Sequence, residues 1–274
     1  MNITQSRIGA GQVCSGNDMD FQMLNSADFY NKTASFYDVM TRFDKRQNRE
    51  REWIRQWRDK YHFNSALDAG CGTGSTALAL AAEGIRTMGI DISEKMIAKA
   101  GNNARKLDIE NVEFRTVSFE NAGNKIKQTF DAIFCLGNSL VHIRPGTALD
   151  KTIRSFAKLL NPNGILVIQL LNYAKILYTR ERIIDIYRDG DEEFIRFYDF
   201  GGEVLNFNIL RIDWRTEKAS HELQTTRHYP HQRTELEKSL VKYGIEIEKV
   251  YGNIKMDDFD PKVSPNLVIA ARKK

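Results

Sequence analysis

The sequence predicts an α/β fold: a Rossmann-like, seven-stranded sheet with helices on both faces and an inserted antiparallel β meander. Three observations predict it. Short apolar runs alternate with amphipathic stretches of helical period from residue 62 to 177, and such alternation implies a parallel sheet covered on both sides. The first of those runs breaks, within Ala66 to Ser75 (ALDAGCGTGS), into a turn with glycines at three alternate positions. A strand that runs into such a turn before a helix is a place where backbone meets a ligand. After Leu177 the period changes to that of strands, which marks the insertion.

Taken in order, residues 1–25 are polar, glycine-containing and aperiodic, which predicts a flexible N-terminal arm. Over 26–61, Tyr37, Met40, Phe43, Trp53, Ile54 and Trp57 are spaced as the apolar face of one or two helices. These either cap a pocket or form a helical layer packed on the sheet. The core, 62–177, starts with the strand that ends at Asp68 and a helix from about Thr76. A second strand, Ile85 to Ile90, ends in Asp91, and Ser93 is placed to cap a helix with Met96, Ile97, Ala100, Ala104 and Leu107 on its apolar face. Val112 to Val117 is a third strand, and Phe130 to Leu136 a fourth, continuously apolar as buried parallel strands are. A helix near Leu149 to Leu160 leads through the turn Asn161, Pro162, Asn163, Gly164 into a fifth strand, Ile165 to Leu171. In the insertion, 178–232, Glu193 to Phe200, Val204 to Trp214 and His221 to Tyr229 read as a three-stranded meander. The chain rejoins the core over 233–274, with a helix at Thr234 to Tyr243 and two closing strands, Ile245 to Tyr251 and Asn266 to Ala271.

Composition excludes several function classes. A length of 274 residues, 42% hydrophobic and 28% charged, is ordinary for a globular chain with a sizeable core. A net charge of +4, evenly spread, does not announce a nucleic-acid partner. Cys14, Cys71 and Cys135 have neither metal-ligand spacing nor the even count of a disulfide framework, so reduced thiols in a cytoplasm are expected. The chain lacks an apolar run of the roughly 20 residues needed to span a membrane, and its start lacks the plan of a signal peptide. No metal site is expected.

The glycine turn carries the chemistry. Gly70, Gly72 and Gly74 leave the main chain open to a ligand, and the following helix directs its free amides there. Asp91, seventeen positions beyond Gly74, stands where a carboxylate can accept both hydroxyls of a ribose. The spacing is GxGxG rather than the GxGxxG of dinucleotide enzymes, and an acid, Asp68, precedes it. A carboxylate there repels a pyrophosphate and attracts an ammonium group, which points to S-adenosylmethionine and its product S-adenosylhomocysteine.

These residues, with GIDIS at Gly89 to Ser93, resemble the first two motifs of the class I S-adenosylmethionine-dependent methyltransferases. CLGNSLVHI at Cys135 to Ile143 and NYAKIL at Asn172 to Leu177 resemble, more locally, the glycine N-methyltransferase group. The resemblance implies a cofactor site at Asp68, Ala69, Gly70, Cys71, Gly72, Gly74, Asp91, Ile92, Met96, Ser118, Phe119, Leu136 and Gly137. Ser118 stands where that family more often has an acid. By the same resemblance Asn138 faces the substrate, Tyr37 brings its hydroxyl toward the methyl group, and Arg46 or Arg49 binds the cofactor carboxylate. His142 is a candidate proton acceptor, with a structural hydrogen bond as the alternative.

At Leu171 the glycine-methylating group has an arginine that pairs with the substrate carboxylate, so glycine is not the expected substrate. The expected reaction is transfer of a methyl group to a nitrogen or oxygen of a small molecule by direct displacement. Phe194, Arg196, Tyr198, Phe200, Phe207, Trp214, Arg227, His228 and Tyr229 make the meander either an aromatic lid or a subunit interface of a homo-oligomer. The alternatives are an RNA or protein methyltransferase, a nicotinamide oxidoreductase, and a silent cofactor-binding protein.

Overall fold

The computed structural model describes residues 23–216 and 218–274. Most of the predicted arm, residues 1–22, lies outside the described residues. Its last residues are ordered: Met23–Leu24 form a short strand, β1, paired in parallel with Thr225 and Thr226. An apolar pair there has backbone partners and a side-chain niche, since Leu24 is buried and its carbonyl accepts from the Thr226 hydroxyl.

The helical segment forms three helices, not one or two: α1 (Ser26–Thr33), α2 (Tyr37–Thr41) and α3 (Phe43–Tyr61). Asn25 caps α1 by accepting from the Asp28 amide, and Arg42, with φ 57°, breaks the chain between α2 and α3.

The central sheet has seven strands in the order β11-β12-β6-β5-β2-β3-β4. In chain order these are β2 (Ser65–Ala69), β3 (Arg86–Asp91), β4 (Val112–Thr116), β5 (Phe130–Cys135), β6 (Leu160–Leu171), β11 (Ile245–Tyr251) and β12 (Asn266–Lys273). Strands β2 to β6 run parallel, and β12 is antiparallel to both β6 and β11. The Asn161 to Gly164 turn lies within β6 as a bulge, because Phe130 pairs with Leu160 and Ala132 with Ile165.

Alternate strand residues feed two cores. Ala66, Phe134, Val167 and Val268 pack against Trp53, Ile54 and Trp57 of α3 and against Ala79 and Leu80 of α4 (Ser75–Ala82). Leu67, Ile133, Ile168 and Ile269 face Ala122 of α6 (Phe119–Lys125), Leu149, Ile153 and Phe156 of α7 (Thr147–Leu159), and Leu236 and Leu240 of α9 (Arg233–Lys242). Helix α5 (Glu94–Lys106) is capped as expected, Ser93 Oγ accepting from the Met96 amide at 3.1 Å. Helix α8 (Tyr173–Thr179) follows β6, capped by the Asn172 side chain.

The insertion is larger than the expected three strands. Four antiparallel strands, β7 (Ile183–Asp189), β8 (Glu192–Gly201), β9 (Val204–Asp213) and β10 (Ser220–His228), join β1 in a second sheet ordered β1-β10-β9-β8-β7. Strand β7 (IIDIYRD) escapes the sequence pattern because its apolar and charged residues do not alternate, with Ile183 and Ile186 each 52% exposed at the sheet edge. Leu24, Phe29, Phe36 and Met40 pack against Phe194 and Ile209, which fastens the N-terminal helices to this second sheet.

Candidate functional site

Strand order reverses across β2 and β5, and a cavity of about 400 Å³ opens at that point beyond the C-terminal strand ends. Its floor is the glycine turn. Gly70, Gly72 and Gly74 take φ values of 82°, 53° and 89°, which L side chains rarely adopt. A Cβ on Gly70 would lie 2.6 Å from Ser139 Oγ, so the turn is closed to side chains on its own account.

Asp91 ties this turn down. Its Oδ2 accepts from the Gly72 amide and its Oδ1 from the Ser93 amide, each at 2.9 Å. Each carboxylate oxygen retains acceptor capacity toward the cavity, whose wall includes Asp91 and Ile92. Asp68 differs. Its Oδ2 is buried with no hydrogen-bond partner among the described residues. Burial, reinforced by the Glu50 charge, pushes its carboxyl up to about 8.

Glu50 and Arg46 close this end. Arg46 donates twice to Glu50 Oε1, at 3.0 and 2.6 Å, and Ser75 Oγ donates to Glu50 Oε2 at 3.0 Å. Arg46 thus lines the cavity already paired, while Arg49 does not reach the wall. Neither Glu50 nor Trp53, also in the wall, carries a signal in sequence beyond helical spacing. Cys71 is buried beside Asp68 and Asp91, and burial raises its thiol well above the usual range, which suits filler rather than nucleophile.

Ser118, Phe119, Leu136 and Gly137 line the same cavity from the ends of β4 and β5. Four other predicted positions do not reach its wall. Ala69 and Met96 are fully buried side chains, and Gly74 serves the turn as the residue preceding α4. Asn138 is the fourth: its φ of 65° turns the side chain into a cluster of tyrosines. There Nδ2 donates to Tyr173 Oη at 2.7 Å and Oδ1 accepts from the Leu171 amide at 3.0 Å. It braces the wall instead of facing the cavity.

The far end is built by side chains. Tyr30 from α1, Tyr37 from α2, His142 after β5 and Arg196 from β8 meet there. Tyr30 Oη lies 2.9 Å from His142 Nε2. Burial holds both tyrosine hydroxyls above their usual range and lowers His142 to about 4, so all three side chains are neutral at pH 7. Behind them His228 stacks on Phe207 with ring centroids 4.5 Å apart and meets His142 edge to face at 4.7 Å. Tyr198 Oη is 3.2 Å from His228 Nδ1 and 2.8 Å from Tyr173 Oη. Trp214 is not part of this wall: it is exposed and bonded to Glu193. Tyr30 and Gln169, both in the wall, were missed in sequence because neither belongs to a motif.

Comparison with known proteins follows the same line. A family model described as a methyltransferase domain matches residues 64–222. A glycine/sarcosine N-methyltransferase of Halorhodospira halochloris is 31% identical over 206 residues, 68% of this chain and 75% of its own length. Glycine N-methyltransferase of Mus musculus is 29% identical over 138 residues, 47% of its length. A solved S-adenosylmethionine-dependent methyltransferase from Clostridium acetobutylicum superimposes with a TM-score of 0.75 at 19% identity, covering 89% of this chain and 98% of that one. The sugar N-methyltransferase KedS8 from Streptoalloteichus gives 0.69 at 18%, covering 98% of this chain and 100% of that one. Likeness at these identities concerns the fold. Among the described residues no helix is long and apolar enough to cross a membrane.

Proposed function

We propose that this chain, which belongs to the methyltransferase-domain family and is an S-adenosylmethionine-dependent methyltransferase, places the methyl group on the nitrogen of a small amine. The observation that supports this reading is the continuity of one cavity from the glycine turn to Tyr30, Tyr37 and His142. The cofactor fits the residues present. The unpartnered Asp68 Oδ2 suits an ammonium group, Arg46 its carboxylate, and Asp91 a ribose. Phe119 and Leu136 supply apolar surface at the strand ends for an adenine ring.

When bound, S-adenosylmethionine supplies a methyl carbon already activated by its sulfonium. The protein's work is then alignment and exclusion of water. The amine reacts as its free base, having lost its ammonium proton to solvent before it is enclosed. Tyr30 and Tyr37 oxygens then accept its N–H groups, leaving the lone pair free to point at the methyl carbon. His142 fixes Tyr30 through their hydrogen bond, and at neutral pH it does not retain a proton, so it positions Tyr30 rather than acting as a base. An amine is favoured over a hydroxyl acceptor because a hydroxyl needs a base. The acceptor end offers neutral Tyr30, Tyr37 and His142 and the cation Arg196, none of them a strong base. Several curated relatives are named glycine or glycine/sarcosine N-methyltransferases, which supports nitrogen, although another, 28% identical, is named a ubiquinone biosynthesis O-methyltransferase.

In this reading the second sheet and the N-terminal helices together form the lid over the acceptor. The buried free thiols of Cys71 and Cys135 suit a reducing cytoplasm. Incubating the enzyme with isotope-labelled cofactor and a metabolite extract, followed by mass spectrometry, tests the function. Labelled N-methyl products are expected. Label found on oxygen alone, or on RNA or protein alone, overturns the proposal.

A further inference from the structure

Methyl transfer to an amine does not by itself explain Arg196. Strand alternation puts Phe194, Arg196 and Tyr198 on one face of β8, and the two aromatics are 1% and 0% exposed. The Arg196 side chain between them is 28% exposed, so its guanidinium is partly desolvated and a partner for its charge is favourable. Asp185 of β7 answers it in part: its Oδ2 accepts from Arg196 Nη2 at 2.7 Å. That carboxylate is shared, because its Oδ1 also faces Arg42 Nη2 at 3.7 Å, and Arg42 lies over the Tyr187 ring at 4.1 Å. Two cations therefore lean on one anion. Among the described residues the other N–H groups of Arg196 have no hydrogen-bond partner, and the side chain lines the cavity.

The charge distribution along the cavity sharpens this. The glycine-turn end holds Glu50, Asp68 and Asp91 beside one guanidinium, Arg46, whose Nε and Nη2 donate to Glu50. The acceptor end holds Tyr30, Tyr37, His142 and Arg196. No carboxylate of the acceptor wall itself matches Arg196; Asp185 stands behind it. A positive charge with spare donors, directed into a cavity next to the amine site, is an oxyanion site.

We infer that the acceptor is an amine that also carries a carboxylate, and that Arg196, held by Asp185, binds that carboxylate. The inference rests on the amine-methylation reading above and adds the acceptor's second functional group. It also revises the expectation drawn from Leu171. That residue does lack a guanidinium, and its amide is used by Asn138. The guanidinium enters instead from β8 of the inserted sheet, so the leucine does not exclude amino acids as a class.

The test uses the full chain with glycine, sarcosine, β-alanine and 4-aminobutyrate, each beside the amine lacking its carboxyl group: methylamine, dimethylamine, ethylamine and propylamine. Wild type is expected to favour at least one amino acid over its partner by ~100-fold in kcat/KM, and Arg196→Met to reduce that ratio to near one, chiefly through KM. Arg196→Lys is expected to recover part of it, since the charge remains and the planar fork is lost. Cofactor affinity, measured alongside, separates this from misfolding. The inference is overturned if wild type prefers the partner amines, or if Arg196→Met keeps the ratio. It is overturned too if no panel member is a substrate and the N-methyl products of a metabolite extract lack a carboxylate. Methylation of oxygen alone in that extract instead sinks the amine reading on which the inference rests.

Discussion

The two ends of the cavity are built by different means. At the glycine-turn end, Asp68 to Thr73 and Asp91 lie within a short stretch of chain and shape the site mainly through backbone conformation. At the acceptor end, Tyr30, Tyr37, His142 and Arg196 come from four elements, three of which belong to the N-terminal helices and the inserted sheet. A backbone site has to be encoded locally, since φ values and strand ends are local properties. A side-chain site only has to be assembled, so its residues can be scattered and changed one at a time. In the proposed reading the methyl donor is thus fixed by the core, and the acceptor by what is packed upon it.

The largest effect is expected where the backbone end depends on a single side chain. Asp91→Ala removes the acceptor for the Gly72 and Ser93 amides along with any ribose partner. Losing hydrogen bonds to a charged group costs ~1.5–3 kcal/mol each, so calorimetry should show S-adenosylmethionine affinity falling by ~100-fold or more. Affinity within a fewfold of wild type would show that the turn holds its shape, and its ligand, without the carboxylate.

The acceptor end should answer in a different quantity. Tyr30→Phe keeps the ring packed on Phe29 and removes the hydroxyl that meets His142. Steady-state kinetics should show kcat lowered by ~10–100-fold with cofactor affinity within about twofold of wild type. Were cofactor binding to fall as much as turnover, the two ends would not be separable.

A smaller, pH-dependent effect belongs to Asp68. In the ligand-free fold its carboxyl titrates near 8, against an ordinary 3.8, so the folded state holds an extra proton between those values. Stability of the ligand-free protein should therefore fall as pH rises through that window. Pairing with an ammonium needs the ionised form, so cofactor affinity should rise by up to about tenfold per pH unit from 6 to 8 and then level. Asp68→Asn should flatten both profiles. A wild-type protein already flat over this range would place the ammonium elsewhere.

The same contrast decides what was legible in the sequence. The turn, Asp91, the Ser93 cap and the strand alternation are periodic or local, and the seven-stranded sheet follows from them. Strand β7 was not legible because its mixed charged and half-exposed residues sit at a sheet edge, and the pairing of Met23–Leu24 with β10 was not because it depends on a strand far along the chain. Asn138 shows the limit most plainly. It follows β5 where resemblance puts a substrate contact, yet a positive φ and two neighbouring tyrosine hydroxyls turn its amide away from the cavity. Glu50 and Arg196 were visible only as a helical charge and a cation on an apolar strand face. What gives each a role is the carboxylate or guanidinium opposite, and that is a property of tertiary packing.

The smallest expected effect bears on how the inserted sheet divides its faces. One face supplies Phe194, Arg196 and Tyr198 to the acceptor end and its packing, while Trp214, just past β9, is 43% exposed, with Nε1 donating to Glu193 and Arg188 over its ring at 5.4 Å. A side chain so placed contributes little to the fold of one chain, and Trp214→Ala should change stability by less than ~0.5 kcal/mol. Because it stands off the cavity, turnover should also stay within about twofold of wild type. An exposed tryptophan is nonetheless the residue type enriched at protein interfaces. Light scattering on wild type and variant distinguishes the cases. Equal mass and equal turnover leave the acceptor face as the sheet's working surface. A lower mass with turnover retained assigns the outer surface to subunit contact, still independent of the site. Reduced turnover together with reduced mass would mean that the two faces are coupled, and that the acceptor end is completed only in an assembly.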